Sequence, residues 1–354
     1  MAPSHRGLPD EVVIWEILVR LPPKPLLRCR AVCHAWRRAT STRDFLLAHH
    51  GHQPTHPILY GRSFTFVGNE LVSLDIIPFG HRAGLTRLGH HFFRLLASCE
   101  GLILLAVSYT RGHFSICNPA TRQYAPLPLL SEFIFLGIYP HTPAGEYRLL
   151  LAPPAQHGFY IYTLGSGQPP RHIDIDCPDV EQLRSTRGSV LFRGCLHWYI
   201  IGHLIIVFET STELFRQMCS PVAPANAELF ELDGMLGMSS FNDASATIDI
   251  WMLQDFESVV WALKYQVKLP VAELTMQFGK FYKDCSLVVT SWSDVLVLVR
   301  FGEWLLHVDM DGMLVASFHH KGFFPTQNRL KQTLVDHTFF PMLEGYVFNA
   351  PPFI

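Results

Sequence analysis

Four short stretches, ICNPAT (116–121), IYTLGS (161–166), VFETST (207–212) and LQDFES (253–258), share one layout. In each, an apolar run meets a turn residue, Asn118, Thr163, Glu209 or Asp255, and a hydroxyl residue follows three positions later, Thr121, Ser166, Thr212 or Ser258. HVDMDG repeats the pattern at Asp309 with Gly312, and SLDIIP repeats it more weakly at Asp75. Successive anchors from Asp75 to Asp309 lie 43, 45, 46, 46 and 54 residues apart. Self-similarity at such a period constrains the fold more than any single motif, because each unit must be one supersecondary structure that its neighbours cover.

A second turn precedes each well-formed anchor by 15–21 residues, at Gly101, Glu146, Gly194, Gly234 and Asp294. Each unit therefore holds two hairpins, or four strands. Four short strands about every 45 residues mark the blade of a β-propeller. One blade cannot cover both its own faces; a ring of them can, and it leaves only short edges. Six anchors predict six or seven blades over 58–354. HTFFPMLEGYVFNAP (337–351) is expected to add a closing strand, confined to an edge or a short piece by its proline.

The first fifty residues obey a different period. Ile14, Ile17, Leu18 and Leu21 fall at i, i+3, i+4 and i+7, one face of a helix that Pro9-Asp10-Glu11 would start and Pro22, Pro23 and Pro25 would end. LLRCRAVCHAWRRATS (26–41) reads as one or two short helices and DFLLAHH (44–50) as a last turn. GHQPTHP (51–57) reads as the linker. A helical unit of about forty residues is near the size at which a chain cannot bury enough surface alone, so a partner or the neighbouring domain is expected to support it.

Composition supports a large core: 49% of residues are hydrophobic and only 16% charged. The net charge of −2 opposes a general nucleic-acid binder, although the first sixty residues hold eight Lys/Arg against four Asp/Glu and the remainder twenty against twenty-six. No apolar run reaches the roughly 20 residues of a membrane-spanning helix, and MAPSHRGLPDE lacks the apolar stretch of a signal peptide. The eight cysteines are too dispersed for a disulfide framework and are expected to be reduced thiols of an intracellular protein.

RCRAVCHAWRR (28–38) admits three kinds of chemistry. Cys29 and Cys33 with His52 and His56 could be a zinc set, but the central gap of eighteen exceeds that of a finger. Arg28, Arg30, Arg37 and Arg38 could meet phosphates, yet their interleaving with apolar positions better fits the wet face of a short helix. No P-loop, G-x-G-x-x-G or G-x-S-x-G occurs. No catalytic residue, metal ligand or cofactor is assigned.

Residues 8–49 resemble the F-box. Leu8-Pro9, Ile17-Leu18, Leu21-Pro22, Leu26-Leu27, Val32-Cys33, Trp36-Arg37 and Phe45 match its pattern in order and spacing. Pro25, His34 and the bulky Trp15 depart mildly from it. The remainder is similar to the F-box-associated family abundant in plants, with kelch-like character, through SCEGLILL (98–105), ICNPATRQYAPLP (116–128), SVLFRGCLHWY (189–199), LFELDGMLGM (229–238), IDIWMLQD (248–255) and WALKYQV (261–267).

The resemblance implies a three-helix F-box over 8–50 followed by an all-β propeller. It implies a substrate-recognition subunit of an SCF (Skp–cullin–F-box) ubiquitin ligase, in the cytoplasm or nucleus. The F-box would dock on a Skp-type adaptor and through it on cullin; the propeller would capture an unknown protein target, with neither nucleic acid nor membrane as partner. A non-degradative scaffold or decoy is the alternative. Leu8, Pro9, Ile14, Leu18, Leu21, Pro22, Leu26, Leu27, Val32, Cys33 and Trp36 are the implied adaptor-binding residues. Candidate target-binding loops are 129–143, 165–170, 221–226 and 323–329, with Phe133, Phe135 and Phe324 as aromatics.

Overall fold

The structure, a computed structural model, describes residues 8–64, 70–76, 86–90, 94–106, 113–141, 145–154, 158–174, 182–183, 186, 188–200, 202–222, 226–242, 244–278, 287–292, 295–319 and 323–349. The helical unit comes first. Pro9 leads into helix α1 (Asp10–Val12), which continues as a π-helical turn, Val13–Ile17, and a 3-10 turn, Leu18–Arg20. Leu21 turns extended, and α2 (Pro23–Cys29) starts at once with proline in its first turn. Pro23 and Pro25 therefore open a helix as well as ending one, since the first turn needs no N–H donors. α3 (His34–Thr40) and α4 (Arg43–His52) follow, capped by Cys33 Sγ and Thr42 Oγ1, each 3.4 Å from a backbone N–H of the first turn.

The strands then form antiparallel sheets. β1 (Thr55–Phe64), β2 (Glu70–Ile76) and β3 (Thr86–His90) begin one sheet. β4 (Arg94–Cys99), β5 (Leu102–Ala106), β6 (Phe114–Asn118) and β7 (Gln123–Pro126) form the next. β8 (Ile134–His141), β9 (Glu146–Ala152), β10 (Phe159–Thr163) and β11 (Arg171–Ile173) make a third. β12 (Val190–Phe192), β13 (Cys195–Ile200), β14 (Leu204–Glu209) and β15 (Leu214–Cys219) make a fourth. β16 (Glu228–Leu232), β17 (Met235–Asn242), β18 (Thr247–Asp255) and β19 (Val260–Lys268) make a fifth. After α5 (Val271–Phe278) come β20 (Leu287–Trp292), β21 (Val295–Phe301), β22 (Trp304–Val308) and β23 (Leu314–His319). β24 (Phe323–Lys331) returns to pair with β1 and completes the first sheet, and β25 (Val347–Phe348) adds a fifth strand beyond β7.

The inner strands β24, β4, β8, β12, β16 and β20 adjoin in that order around the ring, and β20 meets β24 again. The propeller is thus closed by a strand from the C-terminal end of the chain laid beside one from the N-terminal half. Burial follows from the stacking of blades: every residue of β5 and of β6 is buried, with no alternation, because a neighbouring sheet covers each face.

The repeat anchors occupy one equivalent place. Asn118, Thr163, Glu209 and Asp255 end the third strand of their sheets and Asp309 follows the third strand of its own. Asn118 Oδ1 accepts from the N–H of Ala120 at 3.0 Å, Asp255 Oδ1 from Glu257 at 2.9 Å, and Asp309 Oδ1 from Asp311 at 3.0 Å. Glu209 instead receives the Thr212 hydroxyl at 2.7 Å. A short side-chain acceptor closes these turns locally, which is why the residue type recurs. The glycines Gly101, Gly194 and Gly234 sit in the turns between first and second strands. Asp294, Cys177 and Cys285 lie outside the described residues.

Three expectations change. The segment 51–57 is no linker: α4 runs through His52 and β1 begins at Thr55, so only Gln53 and Pro54 intervene. Residues 323–329 are strand β24 rather than a loop, and most of 129–143 is β8. Both are inner strands; β24 carries Thr326, Gln327, Asn328 and Arg329 in a row, which reads as a loop in sequence. Phe133 and Phe135 are half-buried, with rings against Tyr160 and Phe114 respectively. Among the described residues after β24, the one strand is the two-residue edge strand β25; ring closure belongs to β24.

Candidate adaptor-docking site and its seat on the propeller

The helical unit has a small core of its own. Leu18, Val19, Leu26, Phe45 and Leu46 are buried, with Val13, Ile14, Leu21, Cys29 and Trp36 packed around them. This core is completed from outside. Leu334 and Val335, in the segment after β24, belong to the same cluster, and Ala120, from the β6–β7 turn, packs on it. A unit too small to bury its own surface thus borrows two side chains from the other end of the chain.

Polar contacts fix the same seat. The His50 ring Nδ1–H donates to the Gln332 carbonyl at 3.0 Å, and Lys331 Nζ donates to the Gly51 carbonyl at 3.1 Å. His49 Nε2–H and Gln53 Nε2 both donate to the Leu21 carbonyl, at 2.8 and 3.1 Å, and tie α4 to the end of the first helical segment. Arg30 donates to the side chain and carbonyl of Thr40, joining α2 to α3. Burial lowers its pKa, and the nearby Asp336 carboxylate opposes that shift. Arg30 is therefore not part of the solvated basic face; Arg28, Arg37 and Arg38 are exposed.

The implied docking residues divide by burial. Leu8, Pro9, Pro22, Leu27 and Val32 are exposed, and Ile14, Leu21, Cys33 and Trp36 are half-buried. Leu18 and Leu26 are buried core, at 3% and 0% exposure, and do not reach any outside surface. Leu26 and Leu27 are consecutive on a helix, so one points into the unit and the other, 41% exposed, points away. Val12, Trp15, Ile17 and Leu47 are further exposed apolar side chains. The 3.6-residue periodicity puts Ile17 on one helix face with Ile14, Leu18 and Leu21. The π-helical turn Val13–Ile17 breaks that phase, turning Ile17 outward and burying Val19. The bulk of Trp15 was the available signal; its ring lies 5.6 Å from that of Phe45 with much of it left in solvent.

Cys33 Sγ is used as the α3 cap and Trp36 as half-buried packing, so the apparent site in RCRAVCHAWRR is a helix junction. Among the described residues no three His, Cys, Asp or Glu side chains converge as metal ligands would. No described helix is long and apolar enough to cross a membrane.

Comparison with known families agrees with this division of the chain. The F-box-like family matches residues 6–50, and the F-box associated beta propeller domain matches residues 83–339. The chain is an F-box protein of the F-box-associated β-propeller family. An F-box protein of Arabidopsis thaliana is 23% identical over 74% of this chain and 79% of its own length. A second from the same plant is 22% identical over 93% and 88%. An Arabidopsis F-box/kelch-repeat protein is 22% identical over 72% and 78%. In this F-box protein the F-box follows the chain into β1 and stands at the C-terminal end of β24, where the other sheets carry the turn between first and second strands. It therefore sits on one face of the ring.

Proposed function

We propose that this F-box protein is a non-catalytic substrate receptor of an SCF-type ubiquitin ligase, with its F-box held by a Skp-type adaptor. One observation carries the reading: the helical unit leaves Leu8, Val12, Trp15, Ile17, Leu27, Val32 and Leu47 exposed after its core is complete. Seven large apolar side chains on so small a unit exceed what a solvated surface needs and fit a partner with an apolar groove. The excess of Lys/Arg in the first sixty residues would speed encounter with an acidic adaptor. Ubiquitin transfer then falls to other subunits, and the propeller's task is to hold the target.

Adjacent leucines give the test. Leu27→Ala with Val32→Asp should lower capture by a Skp-type adaptor at least tenfold while circular dichroism stays native. Leu26→Ala should instead destabilise the F-box by about 2–5 kcal/mol, because it opens a cavity in the core. Undiminished adaptor capture by the surface double variant would overturn the assignment.

A further inference from the structure

Three hydroxyl residues stand in a row where α3 gives way to α4, and the structure uses them differently. Thr40 is fully buried; its hydroxyl donates to the Trp36 carbonyl at 2.7 Å and accepts from Arg30 Nε at 3.1 Å. Thr42 caps α4 through the Phe45 N–H and donates to the Ala39 carbonyl at 3.0 Å. Ser41 is exposed, and its hydroxyl donates to the Arg37 carbonyl at 2.7 Å, within the last turn of its own helix. Two of the three hydroxyls are therefore committed to holding helices together, and the Ser41 hydroxyl is not.

The surroundings of Ser41 are basic. An open recess of about 540 Å³ is lined by His34, Arg37, Arg38, Ser41 and Thr42, with no carboxylate among them. Arg37 and Arg38 are exposed, and neither guanidinium makes a hydrogen bond or ion pair with a described residue. The nearest acid along the chain, Asp44, belongs to the first turn of α4 and does not line the recess. A guanidinium is a fork of N–H donors with no acceptor of its own. Two such forks and an imidazole around one recess suit a dianion with three free oxygens better than a single carboxylate. Chain direction matters as well. Arg38 and Arg37 precede Ser41 by three and four residues, and a kinase with an acidic cleft selects its substrates by such a charge pattern. α3 has only seven residues, and the fraying of its last turn opens Ser41 to that cleft.

We propose that Ser41 is a phosphorylation site and that its phosphate is held in this recess by Arg37, Arg38 and His34. In the transfer, Ser41 Oγ attacks the γ-phosphorus of a nucleoside triphosphate held by a protein kinase. The Oγ–P bond forms and the bond from that phosphorus to the β–γ bridging oxygen breaks. Nucleoside diphosphate leaves with the electron pair, and the hydroxyl proton passes to the kinase's carboxylate base. The added charge of about −1.5 to −2 offsets that of the two arginines. One consequence rests on the receptor reading: the basic face that attracts an acidic adaptor is neutralised, so the modified chain docks more slowly.

The test treats the purified full chain with ATP and a calmodulin-dependent protein kinase, which selects arginine three residues before its acceptor, and locates the phosphate by mass spectrometry. Ser41 should carry it, and Arg37→Gln with Arg38→Gln should slow incorporation about tenfold. Ser41→Ala should abolish incorporation in this segment while circular dichroism stays native. Phosphorus NMR of the modified chain should place the second phosphate ionisation about half a pH unit below that of the same phosphoserine in an unfolded peptide of residues 34–48. Absence of phosphate from Ser41, phosphate on Thr42 instead, or an ionisation equal to the peptide's would overturn the proposal. Adaptor capture is scored separately, and the modified chain should associate about tenfold more slowly than the unmodified one. If the unmodified chain is not captured at all, the receptor reading fails, while the phosphate measurements still decide the site.

Discussion

Leu334→Ala tests how the two domains hold each other. Leu334 is 4% exposed and packs with Leu18, Leu26, Phe45 and Leu46 across the domain boundary. Truncating a buried leucine to alanine costs about 2–5 kcal/mol, through lost transfer energy and the cavity left behind. Because the site is a seam rather than a central core and can partly relax, about 3 kcal/mol is expected. The loss should fall on one side. The helical unit has only five buried apolar residues of its own in that cluster, whereas the blades are locked by large cores on both faces. The F-box should therefore open locally without the ring, and 3 kcal/mol is roughly a hundredfold in that opening equilibrium. Hydrogen exchange at the amides of Phe45 and Leu46 in α4 should accelerate by about that factor. Exchange in β14 should not change. If α4 and β14 lose protection together, or neither does, the F-box does not depend on this seat and the borrowed-core argument fails.

Acid should weaken the fold through buried neutral histidines. Burial pushes His197 and His337 down to about 4. Above the unfolded value near 6.5 neither state is protonated; between 6.5 and 4 only the unfolded chain takes the proton, so stability falls with pH and levels off below 4. By pH 5 each histidine should cost about 2 kcal/mol, and a His197→Gln/His337→Gln variant should show a smaller fall in melting temperature between pH 7.5 and 5; an unchanged fall would refute the assignment. Gly101 has φ +89°, and a Cβ there would lie 2.5 Å from Thr333 Cγ2 and 2.7 Å from the Lys331 carbonyl. Gly101→Ala should cost about 3 kcal/mol in urea unfolding, from left-handed strain plus the clash; a loss under 1 kcal/mol would show that the segment after β24 yields freely. Arg148 pairs with Glu213 at 2.7 Å across two blades and with Glu146 at 3.0 Å. Glu213 keeps a second partner, Arg171, at 2.5 Å, so Arg148→Met should cost about 1.5 kcal/mol for one lost charge-assisted bond, and Arg148→Met with Glu213→Gln should cost less than the sum of the two single changes; simple additivity would show no coupling.

Much of the ring was legible because its turns use local chemistry. Asn118, Asp255 and Asp309 close their turns with their own side chains, so the signal stays within four residues and repeats with the blade. The inner strands were harder. β24 carries Thr326, Gln327, Asn328 and Arg329 in a row, which resembles a loop, and nothing local in 323–331 announces that its partner is β1, more than 260 residues away. The docking surface was half legible. Family spacing marked Leu26 and Leu27 together, but only helical geometry sends one inward and one outward, and the π-helical turn that exposes Ile17 has no signature in its five residues.

The amino-acid sequence alone determined that the chain has a small helical unit and a ring of four-stranded blades, since periodicity and turn chemistry act over a few residues. The tertiary structure decided where those parts meet. It placed the F-box on the tail that follows β24 and set Glu228 and Gln327 side by side from strands about a hundred residues apart. Such contacts join distant segments that share no local pattern, so they exist only once the ring has closed.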